Sequence, residues 1–247
     1  MTVPPLVGAA MDAMGARSLA APRRFARMRS SLAMVAHWWH RLFNRRRLTA
    51  AVIERIEGQP VVVLPGVLNP AMTRTGAFFA SVLAREPLVR GAEVLDLGTG
   101  SGVCAVIAAR LAARVTAVDL SPAAVRCARI NALLNALEDR IEVLHGDLFA
   151  PVRGRRFDLV LFNPPFLRGE PRDDADLAWR SVDVPERFAA ALRDHLKPQG
   201  SALLLLSTYG DAGAFLRPLE SRGFQTAVRS TRSFFNERLM LFHVRPR

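Results

Sequence analysis

The stretch that most constrains this chain is EVLDLGTGSG, residues 93–102. Val94, Leu95 and Leu97 form a short apolar run of strand formers around Asp96, which passes into Gly98-Thr99-Gly100-Ser101-Gly102. The helix-like run 103–113 follows at once, so the pattern predicts a buried strand, a glycine turn and a helix start. Glycines are needed there because a chain without Cβ atoms can turn tightly and let a ligand touch the main chain. The helix start adds free N–H groups and a partial positive end.

Two ligand classes use such a turn, dinucleotides and S-adenosylmethionine, and the spacing separates them. In the dinucleotide fingerprint G-x-G-x-x-G the third glycine falls one residue later than it does here. Asp96 would repel a pyrophosphate but suits a ligand carrying an ammonium and a sulfonium. A tight turn with no ligand is the alternative.

At 247 residues and 50% hydrophobic, the chain can bury one α/β domain with a smaller appendage. It has no apolar run of transmembrane length. The N-terminal arginines follow the alanine-rich stretch instead of preceding it, which does not fit a signal peptide. Cys104 and Cys127 fall on predicted helices without metal-ligand spacing, so we expect buried thiols, no metal and a cytoplasmic location.

The formal charge of +12 is unevenly spread. Residues 1–50 carry nine arginines against the single acid Asp12. Such a segment fits attraction to RNA, the ribosome or anionic lipid. An arginine-for-lysine bias is the plain alternative, since Lys197 is the only lysine.

We read three segments: an Arg-rich extension 1–50, a hairpin with a connecting loop and helix 51–90, and the main domain 91–247. In the first, Leu32, Val35, Trp39 and Leu42 fall three and four apart, predicting an amphipathic helix over 31–46. In the second, 51–56 and 61–64 read as strands around Glu57-Gly58. The Pro- and Gly-bearing stretch 64–76 predicts a stiff loop before a helix over 77–85, placed to cover a ligand edge or merely to connect.

Strands are expected at 93–97, 114–119, 141–145, 157–162, 202–206, 225–230 and 239–244, with helices at 103–113, 122–134, 186–196 and 211–222. The fold class is therefore α/β, a Rossmann-like doubly wound sheet of seven mostly parallel strands covered on both faces, with a helical and hairpin N-terminal extension. Ligands of such sheets sit at the carboxyl ends of the strands, where the Gly98 turn, Asp119, Asp147 and the turn after Phe162 all lie. Asp119 follows Asp96 by 23 residues, near the offset at which an acid takes ribose hydroxyls. His145 and His195 read as structural.

Asn163-Pro164-Pro165-Phe166 closes the fourth of these strands. Both prolines lack N–H groups and restrict the residue before them, so the turn holds the Asn163 side-chain oxygen and the Pro164 carbonyl as fixed acceptors. Beside the flat Phe166 they suit a planar –NH2 group, on an amide or a nucleobase. Acceptors on both hydrogens favour a pyramidal nitrogen and relieve its developing positive charge during attack on a sulfonium methyl. Residues 167–185, with Asp173, Asp174 and Asp176 near Trp179, read as an acidic lid or a solvated loop.

EVLDLGTGSG, Asp119, Gly146-Asp147-Leu148 and NPPF together resemble a class I S-adenosylmethionine-dependent methyltransferase of the Asn-Pro-Pro-aromatic group. The likeness covers residues 61–247. The approach PGVLNPAMTRTGAFFA and Ala178-Trp179 are most similar to release-factor glutamine N5-methyltransferases. The resemblance implies that Asp96, Gly98, Thr99, Gly100 and Gly102 hold the amino acid moiety of the cofactor. Asp119 and Leu120 would hold the ribose, Asp147 and Leu148 the adenine, and Asn163 with Pro164 and Phe166 the target nitrogen. S-adenosylhomocysteine would be the product.

Two departures stand out. The release-factor glutamine enzymes usually end the turn in Tyr where this chain has Phe166, and usually carry an N-terminal helical substrate domain where this chain has its short Arg-rich segment. A protein glutamine is the leading acceptor, with an RNA base or a small biosynthetic molecule as alternatives.

Overall fold

The computed structural model describes residues 50–88, 90–111, 114–170 and 176–247. The expected amphipathic helix over 31–46, Asp173 and Asp174 lie outside the described residues.

An antiparallel hairpin opens the described chain, β1 (Val52–Ile56) pairing with β2 (Gln59–Val63) across Glu57-Gly58. Helix α1 (Arg74–Leu83) begins three residues earlier than expected, because Thr73 caps it by accepting a hydrogen bond from the Gly76 N–H at 3.3 Å. Then come β3 (Glu93–Leu97), α2 (Val103–Arg110), β4 (Arg114–Asp119), α3 (Pro122–Leu134), β5 (Ile141–His145) and β6 (Phe157–Phe162). α3 starts as its sequence dictates, with Ser121 accepting from the Ala124 N–H and Pro122 in the first turn, where no N–H partner is needed.

Past β6 the short strands β7 (Leu167–Arg168) and β8 (Arg180–Ser181) pair in parallel and tie together the base of the 167–185 segment. Helix α4 (Val184–Ala191) runs into a 3-10 turn at Leu192–His195. β9 (Leu196–Ser207), α5 (Ala212–Ser221), β10 (Phe224–Ser233) and β11 (Arg238–Pro246) complete the fold. The seven-stranded sheet has the order β10-β11-β9-β6-β3-β4-β5. β11 is antiparallel to both neighbours; the links from β9 through β5 are parallel. No described helix is long and apolar enough to cross a membrane.

Alternation along the strands sends successive side chains to opposite faces, so two cores form. Val94, Leu161 and Leu203 face a layer containing α1, α2, α3 and the hairpin. Leu95, Val160 and Leu204 face Phe188 of α4 and Phe215 of α5.

The hairpin is bonded directly to this body. Asn131 of α3, fully buried, accepts from the Val62 N–H at 2.7 Å and donates to the Val62 carbonyl at 2.6 Å. The same amide donates to the carbonyl of Ser101 in the glycine turn at 2.7 Å, while Asn135 donates to Pro60 at 2.9 Å. Truncating Asn131 removes one hydrogen bond each from the Val62 N–H, the Val62 carbonyl and the Ser101 carbonyl, at a net cost of about 1 kcal/mol apiece. Asn131→Ala should therefore lower unfolding free energy by roughly 2–4 kcal/mol, read as a lower denaturant midpoint at unchanged slope.

Candidate active site

A cleft of about 360 Å³ opens at the carboxyl ends of β3, β4, β5 and β6, within the size range of small-molecule sites. Its lining includes Asp96, Gly98, Thr99, Gly100, Asp119, Leu120, Asp147, Leu148, Asn163, Pro164 and Phe166. Of the expected site residues only Gly102 is not among the lining. It sits at the foot of α2 with φ +81°, where a Cβ would come within 2.9 Å of the Ala128 Cα, so its use is close packing against α3.

Gly98 and Gly100 behave differently. Both have positive φ, +62° and +57°, yet a Cβ on Gly98 would meet only the Phe162 ring at 3.9 Å, and one on Gly100 would meet nothing within 4 Å. Their missing side chains leave space on the cleft side of the turn.

Two acids make the cleft floor negative. Asp96 is 4% exposed and accepts the Thr99 hydroxyl hydrogen at 2.6 Å. Burial pushes its carboxyl up to about 7, the Thr99 hydrogen bond opposes this, and the neighbouring Asp119 adds to the rise. Asp119 is raised as well, by burial first; main-chain N–H groups of Ser121, Gly100 and Leu120 pull it back. The Gly100 N–H donates to one Asp119 oxygen at 2.8 Å and the Ser121 N–H to the other at 2.9 Å. Each oxygen keeps a further lone pair, so the carboxylate can still accept from hydroxyls.

Asp147 carries an ion pair with Arg187 of α4, a partner that the sequence pattern did not single out. Leu148 has φ +46°, uncommon for a side-chain-bearing residue and found here on the cleft wall. On the opposite wall no described residue hydrogen-bonds the half-buried Asn163 side chain. Phe166 meets Trp179 edge to face, ring centroids 5.5 Å apart, so the cleft beside Asn163 is bounded by two aromatic rings.

Trp179, in the segment read as a lid or solvated loop, and Thr75, in the stretch read as a ligand cover or connector, both line the cleft; Cys104, read only as a buried thiol, lines it too. The Thr73-x-x-Gly76 cap was the available signal for Thr75. Cys104 and Cys127 are both free and buried. His145 contacts the Leu120 carbonyl through Nε2 at 2.9 Å, His195 stacks on Phe149 at 4.5 Å, and neither lines the cleft.

The raised Asp96 carboxyl gives a stability signature. Between about pH 4 and pH 7 the folded protein holds a proton that the unfolded chain has released, so stability falls as pH rises and levels off above. A shift of about three units corresponds to a few kcal/mol. Asp96→Asn should flatten this slope and make the ligand-free protein more stable at pH 8, as checked by denaturant titrations at pH 5 and pH 8.

Comparison with known proteins places this arrangement. Residues 60–217 match the family described as methyltransferase small domain. The release factor glutamine methyltransferase of Moorella thermoacetica is 31% identical over 224 residues, covering 82% of this chain and 77% of the relative. That of Koribacter versatilis is 35% identical over 163 residues, covering 60% of this chain and 57% of its own length. Among solved structures, the T. thermophilus 16S rRNA N2 G1207 methyltransferase in complex with AdoMet and guanosine aligns with a TM-score of 0.60 at 26% identity. It covers 80% of this chain and 50% of that one. The chain belongs to the methyltransferase small domain family and is an S-adenosylmethionine-dependent methyltransferase.

Proposed function

We propose that this enzyme transfers a methyl group to the side-chain amide nitrogen of a glutamine in a protein acceptor of the release-factor kind. The observation that carries the reading is the Asn163 amide: half-buried in the cleft, free of described partners, and held by two consecutive prolines beside Phe166 and Trp179. A rigid unpaired acceptor of this kind suits a flat –NH2 group. The two glutamine methyltransferase relatives support an amide as the group it takes. A protein acceptor of that kind, together with two free buried thiols, fits a cytoplasmic enzyme.

The residues fit the cofactor. Gly98 and Gly100 leave their side of the turn open, and the ionised Asp96 carboxylate would hold the ammonium of the cofactor's amino acid part. Thr99 fixes the rotamer of Asp96 through its hydroxyl, and Gly102 sets the start of α2. Asp119 would take the ribose hydroxyls beside Leu120, and Asp147 with Leu148 would flank the adenine. When bound, the cofactor supplies a methyl carbon activated by the adjoining sulfonium.

Asn163 Oδ1 and the Pro164 carbonyl then orient the acceptor nitrogen and accept from its two hydrogens, drawing its lone pair out of conjugation. Phe166 and Trp179 exclude water and fix the amide plane. Alignment and desolvation of this kind lower barriers by several kcal/mol. After attack the nitrogen releases one proton to solvent and the product amide is neutral again.

A second reading, transfer to an RNA base amino group, is favoured by the relative crystallised with guanosine. The same two acceptors would serve it. Mass spectrometry of a purified bacterial release factor incubated with enzyme and S-adenosylmethionine should show one added methyl on a glutamine; methylation of ribosomal RNA alone would select the second reading. Asn163→Ala should lower turnover at least about 100-fold, in line with loss of one transition-state hydrogen bond. Cofactor affinity by calorimetry should stay within about twofold.

A further inference from the structure

The turn between β10 and β11, residues 234–237, lies on the same edge of the sheet as the cleft and is unusually well braced. The Phe234 N–H donates to the Glu237 carbonyl at 2.7 Å. The Glu237 side chain, 7% exposed, accepts the Ser207 hydroxyl hydrogen at 2.7 Å and pairs with Arg74 at 3.4 Å. Arg74 also donates to the Asn236 side chain at 3.1 Å and lies over the Phe234 ring at 4.4 Å. Arg74 stands between Thr73 and Thr75, both of which line the cleft.

A second brace reaches the other cleft wall. The Thr208 N–H donates to the Arg238 carbonyl at 3.0 Å, and the Arg238 N–H to the Thr208 hydroxyl at 2.9 Å. Two residues on, Gly210 packs so closely on Phe166 that a Cβ would collide with its carbonyl. From this doubly fixed base Phe235 points into solvent with 107% relative exposure, while Phe234 beside it is covered by Arg74 and Arg232.

We propose that Phe235 is a docking anchor that grips the folded surface of the protein acceptor next to its target glutamine. The inference rests on the protein-acceptor reading above. An aromatic on a pre-ordered base loses little freedom on binding, and such side chains carry a large share of interface energy. Arg232 and Arg238 are exposed beside it, with no described carboxylate pairing either. The matching patch on the acceptor is an apolar depression with carboxylates at its rim. A nucleic-acid track uses several exposed rings in succession, whereas this turn exposes one.

The test compares Phe235→Ala with wild type on two acceptors: a folded bacterial release factor and a short peptide containing the same glutamine. The variant should raise KM for the folded factor about tenfold, equivalent to roughly 1.4 kcal/mol, with kcat unchanged. KM for the peptide, cofactor affinity and melting temperature should match wild type, since the ring is fully open to solvent. An unchanged KM for the folded factor, or an equal rise for the peptide, overturns the docking role while leaving the methylation reading intact. Wild-type enzyme inert on the factor removes both. Weaker binding of the variant to a single-stranded RNA oligonucleotide, with transfer to the factor unaltered, assigns the ring to RNA instead.

Discussion

The structure depends on a reversal of direction in the sheet. From β3 the chain moves outward through β4 and β5, then returns to lay β6 on the other side of β3 and continues to β9. Crossovers in parallel sheets are right-handed, so the segments leaving β3 and β6 depart towards opposite faces and a crevice opens between them. α2 packs on one core and α4 on the other, as that rule requires. The Gly98 turn and Asn163 face each other across the gap because of connectivity, before any side-chain chemistry enters.

Within that crevice the costly feature is the burial of Asp96. A carboxyl held near neutrality by desolvation destabilises the ligand-free protein whenever it ionises, and a bound cation removes that penalty. In the proposed cofactor role, this desolvation cost and the binding of a cation fall on one residue. Three main-chain donors, on Ser121, Gly100 and Leu120, hold Asp119, whereas Asp96 has the Thr99 hydroxyl and one main-chain donor, on Ala105.

Most of this was legible from residue order. Strands 114–119, 141–145 and 157–162 and the helix over 122–134 coincide with the structure, because period, cap and proline signals agree there. Helix ends were less legible: α4 breaks into a 3-10 turn at Leu192 and α1 starts at Arg74, both decided by local packing and capping. β9 runs to twelve residues although Lys197-Pro198-Gln199-Gly200 looks like a loop, since a register irregularity against β6 absorbs it. Gly102 read as a ligand contact, and only the approach of Ala128 shows its other purpose. The burial of Glu237 and the salience of Phe235 have no periodic signature at all; they follow from which turns the sheet brings side by side.

The Asn131 amide has an implication for anyone wishing to shrink this protein. One side chain ties the hairpin carbonyl of Val62 to the Ser101 carbonyl of the glycine turn. A fragment begun at β3, where the familiar nucleotide-fold pattern starts, would discard the hairpin and leave that amide half empty beneath the turn. The ribbon from Val52 to Val63 thus supports the glycine turn from beneath, even though no residue of β1 or β2 borders the cleft.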